Sequence, residues 1–410
     1  MPGRSRPTAA LLAALLPVLA LAACGRNERA KGGQSIRDES STPALGVKQD
    51  EPAAVADLGF PAFATKNTTR IGGADPIADA AGAALATFPA QSAGTRPQVV
   101  ALADARDWRA TVLAGVLAAE PIGAAVLLSD GDRLPPATEQ ALERLAPGGS
   151  PAVGGAQLIR VGGAARPPGL RTTDLAGRDT FALARAVDAF HAAASGRASD
   201  TVVVVGAGDP AFAMPAAAWA AKSGEPILLT ERDRLPAETR RALKAHREPR
   251  IFVLGPPSAV SSRVVVQLRR LGVVRRIGAP DPVRNAIEFA RFSDSGFGWG
   301  AVDPGHGLTF ARTDRPADAA AAALLGTHGA YAPLLLVGDG RRLDAAVESY
   351  LLDIQPGYAR DPVRGVYNRG WILGDDRALS VAEQARIDAL LEIQPVSDSS
   401  TPSDEGSSNP

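Results

Sequence analysis

The chain has 410 residues, 45% of them apolar, and its 44 basic residues balance 44 acidic ones. That balance excludes a global positive field of the kind that draws a protein to nucleic acid. A single cysteine, Cys24, excludes an intramolecular disulfide and a Cys-based metal cluster.

From the amino end, Arg4 and Arg6 precede an apolar run from Ala9 to Leu21, too short for a membrane span and suited to a signal-peptide core. It closes on Leu21-Ala22-Ala23-Cys24-Gly25, which resembles the lipobox of bacterial lipoproteins. That resemblance implies cleavage after residue 23 and a diacylglycerol on Cys24, hence a protein held by lipid at the extracytoplasmic face of the cell membrane. Each buried CH₂ contributes about 0.8 kcal/mol, and two or more chains anchor stably. Residues 24–67 are the lipidated cysteine and a Gly/Ser/Pro-rich tether, reaching on the order of 35 Å if flexible. Only five basic residues are lysine (Lys31, Lys48, Lys66, Lys222, Lys244), which with the heavy use of Ala and Gly suggests a GC-rich, actinobacterial-type genome.

Beyond the tether the chain repeats itself. Arg70-Ile-Gly-Gly-Ala-Asp75 returns as Ala176-Gly-Arg-Asp179 and as Arg276-Ile-Gly-Ala-Pro-Asp281, and each aspartate opens an alanine-rich helical pattern. Asp132-Arg-Leu-Pro-Pro-Ala-Thr138 returns as Asp233-Arg-Leu-Pro-Ala-Glu-Thr239, at an offset of 101. A fixed offset over separate phrases marks duplicated units. The expected units are 68–167, 168–272 and 273–394, followed by a disordered tail at 395–410.

The second unit is the clearest. Phe181, Ala184, Val187 and Phe190 make one helical stripe. Thr201-Val-Val-Val-Val205 is a β-branched run suited to a strand buried on both faces. Asp209-Pro210 starts a helix, with an acceptor at the cap and no N–H at the first position. Pro226 to Thr230 and Arg250 to Leu254 are further strands, and Leu235 to His246 and Ser258 to Leu271 further helices. Such alternation predicts an α/β fold with right-handed crossovers and parallel sheets. The first unit repeats the order with strands at 98–103, 124–129 and 158–162 and no closing helix. The third has strands at 307–311, 334–337 and 371–373, with insertions at Ser293–Gly305 and Gln355–Arg369 that serve either unit-specific function or capping.

The Arg-Ile-Gly-Gly-x-Asp opening, Pro226-Ile-Leu-Leu-Thr230 and the closing Val-Leu-Gly resemble the cell wall-binding repeat 2 family over about Thr68 to Ile393. The resemblance implies three Rossmann- or Toprim-like repeats packed as a pseudo-threefold assembly. It also implies a binding module, without catalytic residues or cofactor, for an anionic cell-wall polymer or peptidoglycan-linked glycan. Two departures stand out: Asp75-Pro76-Ile77 and Asp281-Pro282-Val283 lack the family's usual Arg-Tyr after the aspartate, and Ile-Leu-Leu becomes Val126-Leu-Leu128 and Leu334-Leu-Leu336 elsewhere.

Candidate polymer contacts are Ile227, Leu228 and Leu229, with the recurring arginines Arg70, Arg178 and Arg276 at the unit starts and Arg133, Arg234 and Arg342 before the second helices. Arginine suits bidentate binding of phosphate or carboxylate; solvated surface residues or inter-unit salt bridges are the alternative. Gly206-x-Gly208-x-x-Ala211 partly matches a dinucleotide fingerprint that the other units lack. His191, His246, His306 and His328 have no metal-ligand spacing, and no Gly-x-Ser-x-Gly elbow occurs. Asp303-Pro-Gly-His306 is the one loop arrangement suited to a general base. The leading expectation is wall-glycopolymer binding, ahead of a protein-docking scaffold and a wall hydrolase.

Overall fold

The computed structural model describes residues 62–396, His328 excepted. Cys24, the apolar leader, most of the tether and residues 397–410 lie outside the described residues. Among the described residues, no helix is long and apolar enough to cross a membrane.

The elements in chain order begin with β1 (Ala62–Ala64), β2 (Thr68–Ile71) and α1 (Pro76–Thr87). The first unit continues with β3 (Val100–Asp104), α2 (Trp108–Ala114), β4 (Ala125–Ser129), α3 (Pro136–Leu145) and β5 (Leu158–Val161). The second runs from β6 (Thr172–Leu175) and α4 (Thr180–Ser195) through β7 (Thr201–Gly206), α5 (Pro210–Ser223) and β8 (Ile227–Thr230). It closes with α6 (Ala237–Ala245), β9 (Arg250–Leu254) and α7 (Ser262–Leu268). The third comprises β10 (Val273–Ile277), α8 (Pro282–Arg291), β11 (Gly307–Arg312), α9 (Ala319–Gly326), β12 (Leu334–Val337) and α10 (Ala345–Asp353). It ends with β13 (Gly357–Tyr358), β14 (Arg369–Leu373), α11 (Val381–Leu391) and β15 (Gln394–Pro395).

Three sheets share one strand order: β4-β3-β5-β6, β8-β7-β9-β10 and β12-β11-β14-β2, with every pair in them parallel. The fourth strand of each sheet comes from across a sequence-repeat boundary. Thus β6 and β10, which open the second and third sequence repeats, close the sheets of the units before them. Likewise β2 closes the third sheet, pairing Thr68 with Gly370 and Ile71 with Leu373. Cuts at 68, 168 and 273 therefore separate each sheet from its edge strand.

In each sheet, the glycine after the third strand donates its N–H to the last residue of the fourth. Gly162 donates to Leu175 (2.8 Å), Gly255 to Ile277 (2.8 Å) and Gly374 to Ile71 (3.1 Å). Gly255 and Gly374 hold φ of 118° and 97°, a region costly for any residue with a Cβ.

The expected tether is shorter than its sequence suggests. β1 pairs antiparallel with β2, and Asn67 is buried, its N–H donating to Asp388 Oδ1 at 2.7 Å. At the other end Pro395, placed in the tail by composition, pairs with Tyr358 in the small β13–β15 ladder.

The repeated aspartates are helix caps. Asp75 accepts from the N–H groups of Ile77 and Ala78, Asp179 from Ala182 and Asp281 from Arg284. Pro76 and Pro282 stand at the first helical position, where no N–H is needed. The second repeated phrase also has a local cause: the hydroxyls of Thr138 and Thr239 each donate to a second-strand carbonyl, of Leu128 and Leu229, at 2.6 Å.

The first crossover helices, α2 with the tight turn that follows it, α5 and α9, pack on one another. Small residues permit the approach. A Cβ on Gly115 would lie 2.8 Å from the Ala217 carbonyl oxygen, and one on Gly326 2.4 Å from that of Ala218. Ala319–Gly326 is buried on every side, as its all-apolar sequence requires. The insertion at 293–305 fills core: Phe297 stacks on Phe252 at 3.6 Å, and Trp299 meets Trp219 edge-on at 5.3 Å. The insertion at 355–369 is tied to it by Asn368, whose Oδ1 accepts from the N–H groups of Gly305 and His306.

Candidate functional site

The sequence-predicted contacts separate into three groups. Ile227, Leu228 and Leu229 form β8 at 2%, 0% and 0% exposure, so they have no surface to offer a ligand. Their apolar run is the interior of a parallel sheet.

Arg70 and Arg276 are clamps for the glycine turns. Arg70 is buried and donates to Gln384 Oε1 (2.8 Å) and to the carbonyls of Gly374 (2.8 Å) and Asp375 (2.7 Å). Arg276 donates to the carbonyls of Gly255 (2.6 Å) and Val260 (2.7 Å). Buried Arg70 has no surface to line a groove, and half-buried Arg276 spends both its Nη groups on carbonyls of its own unit. Arg178 is not their counterpart. The matching residue in the first sheet is Asp174, opposite Arg160 in the ladder and ion-paired to it at 3.3 Å.

The third group is exposed. Arg178 pairs with Asp179 at 3.4 Å and with buried Glu238 at 2.9 Å, which also holds Arg185 and Arg241. Arg133 pairs with Asp130 and Arg234 with Glu231, each within its own loop. Arg342 is exposed in the β12–α10 loop, beside Asp339.

A cleft of about 580 Å³ opens at the carboxyl end of the second sheet, between it and the start of α2. Its lining is Asp107, Arg109, Thr180, Phe181, Ala207, Gly208, Glu231 and Arg232. Open α/β sheets bind ligands at this end, outside the strand carboxyl termini. Asp107 caps α2, and Arg109 reaches across to donate Nε and Nη2 to the Ala207 carbonyl at 2.9 and 2.5 Å. The Thr180 hydroxyl is buried without a protein partner. Glu231 is held by Arg234, which keeps its carboxyl below the usual range.

The third unit repeats the arrangement as a cleft of about 340 Å³ lined by Asp281, Val283, Arg284, Thr313, Gly338 and Asp344. Nearby, burial, reinforced by Asp344 and Asp339, pushes Glu383 up to about 7. Sequence reasoning missed the second-unit cleft because its lining comes from two units. In the sequence Phe181 belongs to a helix stripe, and Thr180 is its neighbour at the helix start.

The remaining candidates have structural explanations. A Cβ on Gly206 would lie 2.8 Å from the Ala259 carbonyl oxygen, so this glycine admits the protein's own backbone. His246 is engaged at both ring nitrogens, by the Ser199 carbonyl (2.8 Å) and the Asp188 carboxylate (3.0 Å). Buried His191 lines a cavity of about 470 Å³ at the amino ends of the second-sheet strands; burial lowers its pKa. His306 lies 3.1 Å from Asp303 in an open loop. Among the described residues, no group of three or more His, Cys, Asp or Glu side chains is placed to hold a metal ion.

Residues 175–265 match the family model Cell wall binding domain 2 (CWB2). Over 94 residues the chain is 32% identical to the N-acetylmuramoyl-L-alanine amidase LytC of Bacillus subtilis (strain 168), covering 23% of this chain and 19% of that protein. The fold is similar to that of Cwp8 from Clostridium difficile, with a TM-score of 0.61 and 19% identity over 80% of this chain and 53% of that one. Cwp6 from the same organism matches with a TM-score of 0.61 and 16% identity, over 80% of this chain and 50% of its own. The chain thus spans about half the length of these structures and a small part of the amidase.

Proposed function

Proceeding from the cell wall binding domain 2 at residues 175–265, we propose that this chain is a lipid-anchored envelope protein that holds a cell-wall glycopolymer close to the membrane. The observation that carries the reading is the match itself, in a unit whose strand order recurs in the other two sheets. The role is binding rather than catalysis: the amidase likeness covers only 19% of that protein, and His306 with Asp303 stands in an open loop. Cys24 supplies the lipid attachment, and the residues from 25 to the start of β1 supply the tether.

Of the recurring arginines, Arg133, Arg178, Arg234 and Arg342 are exposed, the first three in ion pairs within the protein, whereas Arg70 and Arg276 act within the fold. Sedimentation of the purified protein with isolated cell wall tests the reading. It should co-sediment with wall and stay in solution without it. Failure to sediment with any wall preparation, together with capture of a single envelope protein, would move the function to a docking scaffold.

A further inference from the structure

We infer that the cleft of the second unit takes an uncharged stretch of glycan, a pyranose ring with its hydroxyls, rather than a phosphate or carboxylate group. The inference rests on the wall-polymer reading above and names what that polymer presents to this site.

The charge pattern carries it. Asp107 and Glu231 in the lining are matched by Arg109 and Arg232, so the cleft has no formal net charge. Each arginine in or beside it already has an acceptor within the protein. Arg109 serves the Ala207 carbonyl with two donors and lies 4.6 Å from the Trp108 ring centre. Arg232 lies 3.7 Å from Asp233, Arg234 clasps Glu231, and Arg178 is shared between Asp179 and Glu238. An anionic group entering here would meet two carboxylates, and of the two lining arginines only Arg232, exposed and 3.7 Å from Asp233, keeps most of its donors free.

The other groups suit a neutral sugar. Ionised carboxylates only accept hydrogen bonds, and the unpartnered Thr180 hydroxyl both donates and accepts. A sugar ring supplies hydroxyl donors for these acceptors; a phosphate diester has none. The half-buried Phe181 ring offers an apolar face for the C–H side of a pyranose, and beside it the Cβ direction of Gly208 is open within 4 Å. The cleft, about 580 Å³, lies within the roughly 300–1,000 Å³ of small-ligand sites.

The experiment uses the purified protein and wall of the source cells in two forms, intact and treated with hydrofluoric acid, which cleaves phosphodiesters. The neutral oligosaccharides released by that treatment serve as one competitor, and inorganic polyphosphate as the other. Raising salt from about 50 to about 500 mM should change wall affinity by less than roughly threefold, since no exposed ion pair is made. The neutral oligosaccharides should compete, and polyphosphate should not. Thr180→Val and Glu231→Gln, which keep shape, should each weaken binding about tenfold, the scale of a lost hydrogen bond to a charged or buried group. Thermal unfolding of both variants reports whether the fold is kept.

Binding that collapses with salt, yields to polyphosphate or ignores both substitutions overturns the neutral-glycan inference and leaves wall binding standing. A parent protein that binds no wall preparation overturns the wall reading itself, and the inference with it.

Discussion

Asp79 is fully buried on α1, where that helix meets the turn before α9, and replacing it with asparagine tests how the first and third units are joined. Its Oδ1 accepts from the Gly73 N–H at 2.7 Å, and Arg315 donates to its other oxygen. Arg315 also donates to Asp318, itself fully buried, through Nε at 2.9 Å. Burial, with the adjacent Asp318 carboxyl, pushes Asp79 up to about 9 from 3.8, and burial raises Asp318 as well. The folded protein therefore keeps a proton that the unfolded chain releases above about pH 4. A pKa raised on folding contributes stability that is fully present below the unfolded value and is lost as pH rises toward the folded one. The slope is about 1.4 kcal/mol per pH unit per proton, or roughly 4 kcal/mol between about pH 5 and pH 8. In Asp79→Asn the side chain does not titrate, so whatever the variant loses in contacts at a fixed pH, its stability relative to the parent should climb by that amount across the window. Urea unfolding of both proteins at several pH values measures it. Parallel stability profiles would refute the reasoning, because Asp79 would then be ionised in the native protein.

Three further outcomes are expected. Gly326→Val forces a side chain against the Ala218 carbonyl and should cost about 1–3 kcal/mol in urea unfolding, whereas Gly94→Ala, with open space around it, should cost almost nothing. Arg70→Ala removes the donor to the Gly374 carbonyl and the side-chain donor to that of Asp375, which keeps the Ala378 and Leu379 N–H groups, and should cost about 1–3 kcal/mol; limited proteolysis should then cut near β1 and β2 before the remainder unfolds. Cys24→Ser should move the protein from washed membranes to the soluble fraction, since no other residue can take the thioether-linked lipid; unchanged membrane retention counts against the lipid anchor.

Local chemistry was legible in the sequence. The repeated aspartates were readable as helix starts because an N-cap acts within three residues of itself. The β-branched run of β7 announced a buried strand because both its faces need apolar side chains. The alternation of such segments fixed the α/β class through the handedness and length of crossovers. The offset of 101 was readable too, although its cause, a threonine hydroxyl on a strand carbonyl, was not.

What the tertiary structure decided depends on partners distant in sequence. That Thr68–Ile71 closes a sheet with Arg369–Leu373 cannot be inferred from either segment, because a parallel edge strand carries no mark of its neighbour. The same holds for the arginines. Arg70 and Arg178 look alike in their phrases, yet one is buried against carbonyls some 300 residues away and the other is exposed, paired with Asp179 and with a buried glutamate that two more arginines share. The cleft, built by Arg109 and Asp107 of one unit and Phe181 and Glu231 of the next, exists only once two units have packed.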